Sequence, residues 1–187
     1  MDHDLHVPST GTATSAAVVL HPHPAMGGDR HHPLVVATAD GLAAAGVAAL
    51  RPDLHDPDID ASARAVEATA VDLLRDTGAD RVVLVGYSWG SAVAALAAPA
   101  GLVARVLVAP PVSMLQRDIT AALCSGEVPA LLLVPAHDQY GPPVDVRAAL
   151  GDAQNTTMEV VEGADHFLAG AVDRIAARAV AWISEQL

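Results

Sequence analysis

The chain has 187 residues and a formal charge of −12 at pH 7, and 52% of its residues are hydrophobic although only 3% are aromatic. This length suits one domain, and Ala, Val and Leu must fill its core because large aromatic side chains are scarce. All 10 basic residues are Arg, which excludes lysine Schiff bases, Ser-Lys dyads and lysine-containing phosphate loops, and the acidic balance argues against nucleic acid and membrane surfaces as partners.

Strand and helix patterns alternate along the chain. Runs of β-branched and Leu residues indicate strands buried on both faces, at 16–20, 47–50, 81–85, 105–108, 131–134 and 158–161. Segments with helical periodicity lie at 33–45, 61–77, 88–98, 144–150 and 168–187. The alternation predicts a single α/β domain over residues 1–187, a three-layer sandwich with helices on both faces of a mostly parallel sheet of six or seven strands. Within it, residues 1–15 are expected either to fray or to form a short edge strand.

Several features of the sequence predict where in the cell the protein is located. The first apolar run, 16–20, is too short for a signal peptide and no Arg precedes it. The longer apolar stretch 92–112 is interrupted by Pro, Gly and Arg residues and cannot span a membrane. The single cysteine, Cys124, cannot form an internal disulfide and is interpreted as a small buried apolar side chain. We therefore expect a cytoplasmic protein.

Residues 86–90, Gly-Tyr-Ser-Trp-Gly, form a G-x-S-x-G pattern between a predicted strand and a predicted helix. This context is typical of a nucleophile elbow, a sharp turn that holds a serine, here Ser88, in a strained backbone conformation. Gly86 and Gly90 leave space where a Cβ atom would collide. The alternative interpretation is a Gly-Ser turn that only caps the helix through Ser88 or Ser91.

A serine nucleophile needs a histidine base, and nine histidines compete for this role. His166 has the expected position, after the last strand and before the last helix. The alternative is that it only caps that helix. Four of the others lie in the N-terminal segment or at the start of the first predicted helix: His3, His6, His31 and His32.

The imidazole in turn needs a carboxylate partner on a loop between the serine and the histidine. Asp138 closely follows the strand at 131–134 and is the favoured partner. Asp165 adjoins His166 in sequence, so it would reach the far ring nitrogen only with difficulty. The remaining aspartates considered lie on or beside helices: Asp118, Asp145 and Asp152. The alternative interpretation of Asp138 is a turn or helix-capping residue.

The loop at residues 21–28, His-Pro-His-Pro-Ala-Met-Gly-Gly, follows the first buried strand. In an enzyme with a nucleophile elbow, one amide of the oxyanion hole comes from the residue after the nucleophile, here Trp89, and another from this loop. The two prolines carry no amide hydrogen, so the loop donor must be His23, Ala25 or Met26, and His23 is favoured.

Four segments in this order resemble a group of small bacterial hydrolases of the α/β-hydrolase superfamily, often described as dienelactone-hydrolase-like or esterase-like. They are HPHPAMGGDRHHPLV, GYSWGS, HDQYGPP and GADHFL, and the resemblance runs from about Ala16 to the C-terminus. It implies the same roles for Ser88, Asp138 and His166 and a minimal fold without a lid. Two features depart from the group. Residues 51–56 replace the glycine-rich turn usual after the second strand, and Ser88 stands where true dienelactone hydrolases use cysteine.

Only about twenty residues separate the strand at 105–108 from the next strand, so the site is expected to be open. Several side chains are expected to form an apolar wall for an acyl group or to lie near it: Pro111, Val112, Met114, Leu115, Tyr87, Trp89 and Tyr140. Of these, Tyr87, Met114 and Tyr140 are the favoured substrate-binding residues. The alternative is that all of them are ordinary core or rim residues.

The sequence favours a serine hydrolase, of the carboxylesterase or thioesterase kind, that cleaves small esters or thioesters through Ser88, His166 and Asp138 and an acyl-enzyme. The alternative is a non-catalytic ligand-binding or interaction protein on the same fold. A dinucleotide-binding domain is excluded because no G-x-G-x-x-G follows the first strand. We expect no cofactor, no metal at the His21 and His23 pair, and a monomer or homodimer.

Overall fold

The structure, a computed structural model, describes residues 2–9, 13–115 and 127–187. Within these ranges it has seven strands and five helices. The strands are β1 (His3–His6), β2 (Ser15–Leu20), β3 (Ala48–Pro52), β4 (Arg81–Tyr87), β5 (Leu102–Val108), β6 (Ala130–His137) and β7 (Thr156–Asp165). The helices are α1 (Pro33–Ala44), α2 (Ile59–Thr77), α3 (Trp89–Leu96), α4 (Pro143–Leu150) and α5 (Val172–Gln186), and a single turn of 3-10 helix, Pro24–Met26, precedes α1.

The strands form one sheet in the order β1-β3-β2-β4-β5-β6-β7. Strands β2 to β7 are parallel to one another, and β1 alone runs antiparallel, beside β3 at the edge. The predicted α/β class with a mostly parallel sheet is therefore confirmed. Because parallel strands all end at the same edge, the loops that follow β2, β3, β4, β6 and β7 gather there.

Two apolar clusters lie on the two faces of the sheet, each between the sheet and the layer of helices that packs on that face. Helices α1 and α5 pack on one face, where Leu42 and Ile183 are fully buried. Helices α2, α3 and α4 pack on the other face through residues such as Val66, Val93 and Val146. The core is filled mainly by Ala, Val and Leu, as the composition predicts. None of the helices in the described part of the chain is long and apolar enough to cross a membrane.

The last helix begins later in the chain than residue 168, the start that the sequence predicted. Leu168 has φ 60° and Gly170 has φ 70°, so the chain is not helical there, and α5 starts at Val172. Leu168 and Ala171 are nonetheless buried, with 0% and 2% exposure. Their apolar side chains matched a helical periodicity in the sequence, but in the structure they pack the loop after β7 against the core.

The N-terminal segment contributes a short edge strand, one of the two alternatives expected for it. Strand β1 pairs with β3 so that Leu5 lies opposite Leu50. Nε2 of His6 accepts a hydrogen bond of 2.8 Å from Nε of Arg51, and Nδ1 of His6 lies 2.9 Å from a carboxylate oxygen of Asp40 in α1. His6 is therefore held by side chains of two other elements.

The connection between β5 and β6 spans residues 109–129, a length too short for an inserted lid domain. Residues 116–126 of this connection lie outside the described residues. Asp118 and Cys124 lie in that segment, so what the sequence predicts for them stays a prediction. Leu115, the last described residue before this segment, packs against the cluster beside α2 and α3.

Arg105 places a guanidinium group in the core between β5 and α3. The residue is 6% exposed, and its Nε and Nη2 donate hydrogen bonds of 3.0 and 2.9 Å to the carbonyl oxygens of Ala94 and Ala97. Burial lowers the pKa of Arg105 from its ordinary value, but the group stays charged at neutral pH. The cation thus lies at the carboxyl end of α3, where it complements the helix dipole and satisfies carbonyl groups that end the helix.

We expect Arg105→Met to lower the free energy of unfolding by about 3 kcal/mol, because two buried carbonyl groups lose their donors. Arg105→Lys keeps a positive charge but not the two-pronged donor, so it should lose less. Urea unfolding of the three proteins measures both differences. A methionine variant as stable as the original chain would contradict this account of the guanidinium.

Candidate active site

Ser88 lies in a strained turn between β4 and α3. Its φ of 53° and ψ of −120° are rarely adopted by a residue with a side chain. A Cβ atom on Gly86 would lie 2.1 Å from the carbonyl oxygen of Gly90, and one on Gly90 would lie 2.4 Å from that of His21, so only glycine fits at either position. The Ser88 side chain makes no capping hydrogen bond to α3. The backbone predicted for a nucleophile elbow is present, and the hydroxyl is not used as a helix cap.

Three side chains from three different loops form one hydrogen-bonded line. Oγ of Ser88 lies 2.9 Å from Nε2 of His166. Nδ1 of His166 lies 2.9 and 2.8 Å from the two carboxylate oxygens of Asp138. The three residues follow β4, β7 and β6, whose carboxyl ends lie at the same edge of the sheet. This arrangement is compatible with a Ser-His-Asp triad.

The Asp138 carboxylate is fixed by the backbone as well as by the imidazole. Its Oδ1 accepts hydrogen bonds of 2.8 and 3.0 Å from the N–H groups of Tyr140 and Gly141, and its side chain is 0% exposed. An ionised carboxylate accepts hydrogen bonds only, so Nδ1 of His166 carries the hydrogen between them. The lone pair of Nε2 is then directed at the hydroxyl of Ser88.

The other aspartates considered as partners make different contacts. Oδ1 of Asp165 accepts a hydrogen bond of 3.1 Å from the backbone N–H of Phe167. Oδ2 of Asp145 accepts one of 3.3 Å from the hydroxyl of Ser113. Asp165 therefore shapes the turn after β7.

Tyr87 fixes the backbone of His166. Its hydroxyl donates a hydrogen bond of 2.7 Å to the carbonyl oxygen of His166. Burial, together with the charges of Asp138 and Asp165, raises the pKa of Tyr87 well above its ordinary value, so this hydroxyl stays protonated and remains a donor. Tyr140 contacts the other side of the imidazole, edge-on, with ring centroids 4.7 Å apart. The hydroxyl of Tyr87, a predicted substrate-binding residue, is thus engaged with the protein.

The first loop offers one free amide near the serine. The N–H of Ala25 donates to Nδ1 of His23 at 3.1 Å, and the N–H of Met26 donates to the carbonyl oxygen of His23 at 3.0 Å. Among the residues that the structure describes, none accepts a hydrogen bond from the backbone N–H of His23 or of Trp89. The side chains of these two residues are in contact, with ring centroids 5.4 Å apart. This pattern favours the predicted pair of oxyanion donors over Ala25 and Met26.

His21 joins the first loop to the loop after β3. It is 1% exposed, its Nε2 accepts a hydrogen bond of 2.8 Å from the N–H of Leu54, and its Nδ1 lies 2.6 Å from the carbonyl oxygen of Pro22. Both ring nitrogens are therefore engaged with backbone groups and are not available to a metal. Across the described ranges, no cluster of three or more His, Cys, Asp or Glu side chains could hold a metal ion.

Asp53 makes a second link between the same two loops. Its Oδ1 accepts a hydrogen bond of 2.8 Å from the backbone N–H of Arg30, and its Oδ2 contacts the Arg30 guanidinium, which also donates to Asp4 at 3.1 Å. Burial alone would raise the pKa of Asp53, but the hydrogen bonds and the charge of Arg30 lower it below its ordinary value. The segment at 51–56, which replaces the usual glycine-rich turn, thus anchors the loop that carries His23.

The His21 contacts predict a pH dependence of stability. Burial lowers the pKa of His21 from its ordinary 6.5, and the Pro22 carbonyl and the charge of Asp53 offset this only partly. The unfolded chain takes up this proton at a higher pH than the folded one, so the free energy of unfolding should fall as the pH drops below about 6.5. In His21→Gln, the loss between about pH 7 and about pH 5 should be smaller. Because burial also lowers the pKa of His32, part of the slope will remain. Urea titrations at several pH values measure the slopes, and equal slopes would contradict the prediction.

The hydroxyl of Ser88 and the ring of His166 open into a cleft of about 830 Å³. Most of the side chains predicted to lie here line it: His23, Tyr87, Trp89, Pro111, Met114, Leu115 and Tyr140. Val112 is not among them. It is partly buried and packs against the apolar cluster beside α2 and α3, whereas Met114 is 64% exposed.

Sequence reasoning missed two parts of the lining. One is Phe167, which is 62% exposed beside the imidazole and could have been inferred from its position next to His166. The other is the start of α2, where residues 57–60 form a wall of the cleft. The indole N–H of Trp89 donates to the carbonyl oxygen of Pro57 at 3.3 Å and holds this wall in place. No sequence pattern connects these two residues.

Comparison with known proteins agrees with this architecture. A family model described as "Alpha/beta hydrolase family" matches residues 17–125, more than half of the chain. The chain therefore belongs to the alpha/beta hydrolase family. A search of curated proteins gives no significant match.

Several solved structures share the fold. An alpha-beta serine hydrolase homologue from Coxiella burnetii is 21% identical with a TM-score of 0.84, and the match covers 97% of this chain and 90% of that one. A dienelactone hydrolase from Anabaena variabilis is 25% identical with a TM-score of 0.82, covering 99% and 91%. A serine hydrolase without lid from Xanthomonas campestris is 21% identical with a TM-score of 0.75, covering 95% and 88%. The predicted resemblance to small lid-less, esterase-like and dienelactone-hydrolase-like proteins is confirmed.

Proposed function

We propose that this alpha/beta hydrolase is a serine hydrolase that cleaves small carboxylic esters or thioesters. The observation that carries the proposal is the line from the Ser88 hydroxyl through the His166 imidazole to the Asp138 carboxylate, with contacts of 2.9 and 2.8 Å. A hydroxyl is a weak nucleophile until an adjacent base accepts its proton, and this line supplies the base and orients it.

In the proposed acylation step, Ser88 Oγ attacks the carbonyl carbon of the ester while its proton moves to Nε2 of His166. The carbonyl π electrons move to oxygen, and the oxyanion accepts hydrogen bonds from the N–H groups of His23 and Trp89. The bond to the leaving oxygen or sulfur then breaks, and His166 returns the proton to it. Asp138 stays ionised and stabilises the imidazolium throughout.

In the proposed deacylation step, a water molecule takes the place of the alcohol or thiol. His166 accepts a proton from this water as it attacks the acyl carbon, and then returns the proton to Ser88 Oγ as the acyl bond breaks. The products are a carboxylic acid and the free serine. Because the chain approaches Gly86 and Gly90 closely, the strained turn at Ser88 is tightly packed. The turn therefore holds the hydroxyl in the same place in both steps.

A fluorophosphonate probe tests the proposal directly. We expect the protein to take up one probe molecule, attached to Ser88, because an activated serine attacks phosphorus and the adduct resembles the tetrahedral intermediate. Intact mass measurement and peptide mapping give the stoichiometry and the position. Ser88→Ala should take up none. A chain that uses the same fold only to bind a ligand would stay unlabelled, and that result would overturn the proposal.

A further inference from the structure

The residues that line the cleft come from both faces of the sheet, and we call the two parts of this lining the first and the second arm. The first arm belongs to the side of the core that contains α2 and α3, and Ile59, Trp89 and Leu115 line it. The second arm lies towards α1 and α5, where the ring of Tyr87 is 4.9 Å from that of His32 between ring centroids. The two arms offer separate places for the two halves of an ester.

The proposed chemistry assigns each half to an arm. His166 must return a proton to the leaving oxygen, so the leaving group lies beside the imidazole, towards the second arm and Phe167. The oxyanion points to the free amides of His23 and Trp89. The first arm, away from His166, is then the remaining place for the acyl chain.

The first arm combines apolar walls with negative charge. Ile59, Trp89, Leu115 and Met114 supply the apolar surface, and Asp58 and Asp60, the two neighbours of Ile59 in sequence, belong to the same lining. Among the residues described for this cleft, no Arg is present, and the chain contains no lysine. An acyl group that carries a carboxylate would meet like charges here.

The amino end of α2 does not offset this charge. A helix amino terminus attracts anions through its free N–H groups and its dipole. Here Oδ1 of Asp58 already accepts a hydrogen bond of 2.7 Å from the N–H of Ala61, and Asp60 lies in the first turn. The end of α2 is thus occupied by the protein's own carboxylates, and the positive partial charge of the helix is smaller than their combined negative charge.

We propose that the acyl arm selects uncharged acyl groups and rejects acyl groups that end in a carboxylate, with Asp58 and Asp60 as the specificity-determining residues. This inference rests on the proposed ester hydrolysis. It assigns the substrate class as neutral, apolar carboxylic esters and places anionic esters outside it, including lactones whose acyl part carries a carboxylate.

Three p-nitrophenyl esters with six-carbon acyl chains test the inference: the hexanoate, the 5-carbamoylpentanoate and the 5-carboxypentanoate. The last two have the same shape and differ by one negative charge. We expect kcat/KM for the carbamoyl ester to exceed that for the carboxy ester by about tenfold or more at low salt, because like charges repel in a partly desolvated site. Added NaCl should reduce this ratio through screening.

Asp58→Asn with Asp60→Asn removes the charges and keeps the shape, and Asn caps a helix as well as Asp does. In this double variant, the ratio should fall to about threefold or less, as the repulsion is lost. Asp80→Asn is the matched control. Its side chain is 89% exposed just before β4, at the opposite end of the strand from Ser88, so the ratio should not change.

The outcomes separate the two proposals. Equal kcat/KM for the carbamoyl and carboxy esters overturns the charge selection while leaving ester hydrolysis intact. A ratio that the double variant does not change overturns the roles of Asp58 and Asp60. Absence of hydrolysis of all three esters, with no labelling of Ser88, overturns the proposed function and the inference that depends on it.

Discussion

Replacing Ser88 by alanine should reduce kcat for p-nitrophenyl esters by about 10⁵-fold or more, down to the rate supported by binding and the oxyanion donors alone. The hydroxyl forms the acyl bond, and no other hydroxyl in the described cleft lies within hydrogen-bond distance of the His166 imidazole. KM should change much less than kcat, because the walls of the cleft are unaltered. Initial rates with a short acyl ester measure both constants.

The fold must survive for this result to be informative. Alanine at position 88 keeps the Cβ atom and the φ of 53° that the turn already imposes on serine, and the serine side chain makes no helix cap to lose. The free energy of unfolding should therefore stay within about 1 kcal/mol of the original. An alanine variant that is folded and retains full turnover would remove Ser88 from the mechanism.

Asp138→Asn should lower kcat by about 10⁴-fold, an effect second only to that of the serine. Oδ1 of residue 138 accepts hydrogen bonds from the N–H groups of Tyr140 and Gly141. An asparagine would keep its oxygen in that position and direct its NH₂ group at Nδ1 of His166. The imidazole would then carry its hydrogen on Nε2, facing Ser88 Oγ, in the tautomer that cannot accept the serine proton.

Asp165→Asn is the matched control for this variant. It neutralises a carboxylate of the same size next to His166, and Asn can still accept the hydrogen bond from the N–H of Phe167. Its kcat should stay within a few-fold of the original. A large loss in Asp165→Asn, with little loss in Asp138→Asn, would transfer the proposed role to the carboxylate adjacent to the histidine.

The sheet and the turn at the serine were predictable because their signals are local. Buried parallel strands have continuous apolar runs, which place β2 and β4 to within two residues of their ends. The turn at Ser88 follows from close approaches that only Gly86 and Gly90 permit. The order of Asp138 and His166 after successive strands then brings both to the same edge of the sheet.

The walls of the cleft were less predictable because they depend on contacts between distant loops. Asp58 and Ile59 precede the helix predicted from residue 61, and no sequence signal marks them as part of the site, where the Trp89 contact with Pro57 holds this wall of the cleft. Val112 was assigned to the lining for its apolar character alone, and in the structure it packs against the apolar cluster beside α2 and α3. Hydropathy cannot distinguish a residue that lines a cleft from one that packs in the core, since apolar side chains occupy both kinds of position.

The edge strand β1 ties the start of the chain to the proposed oxyanion site. The carboxylate of Asp4 in this strand accepts hydrogen bonds from the guanidinium groups of Arg30 and Arg51, and Arg30 follows the loop that presents the amide of His23. A short segment outside the cleft therefore braces one wall of it. Trimming the chain ahead of β2, or fusing a bulky tag against β1, would disturb the geometry offered to a substrate as well as the border of the sheet.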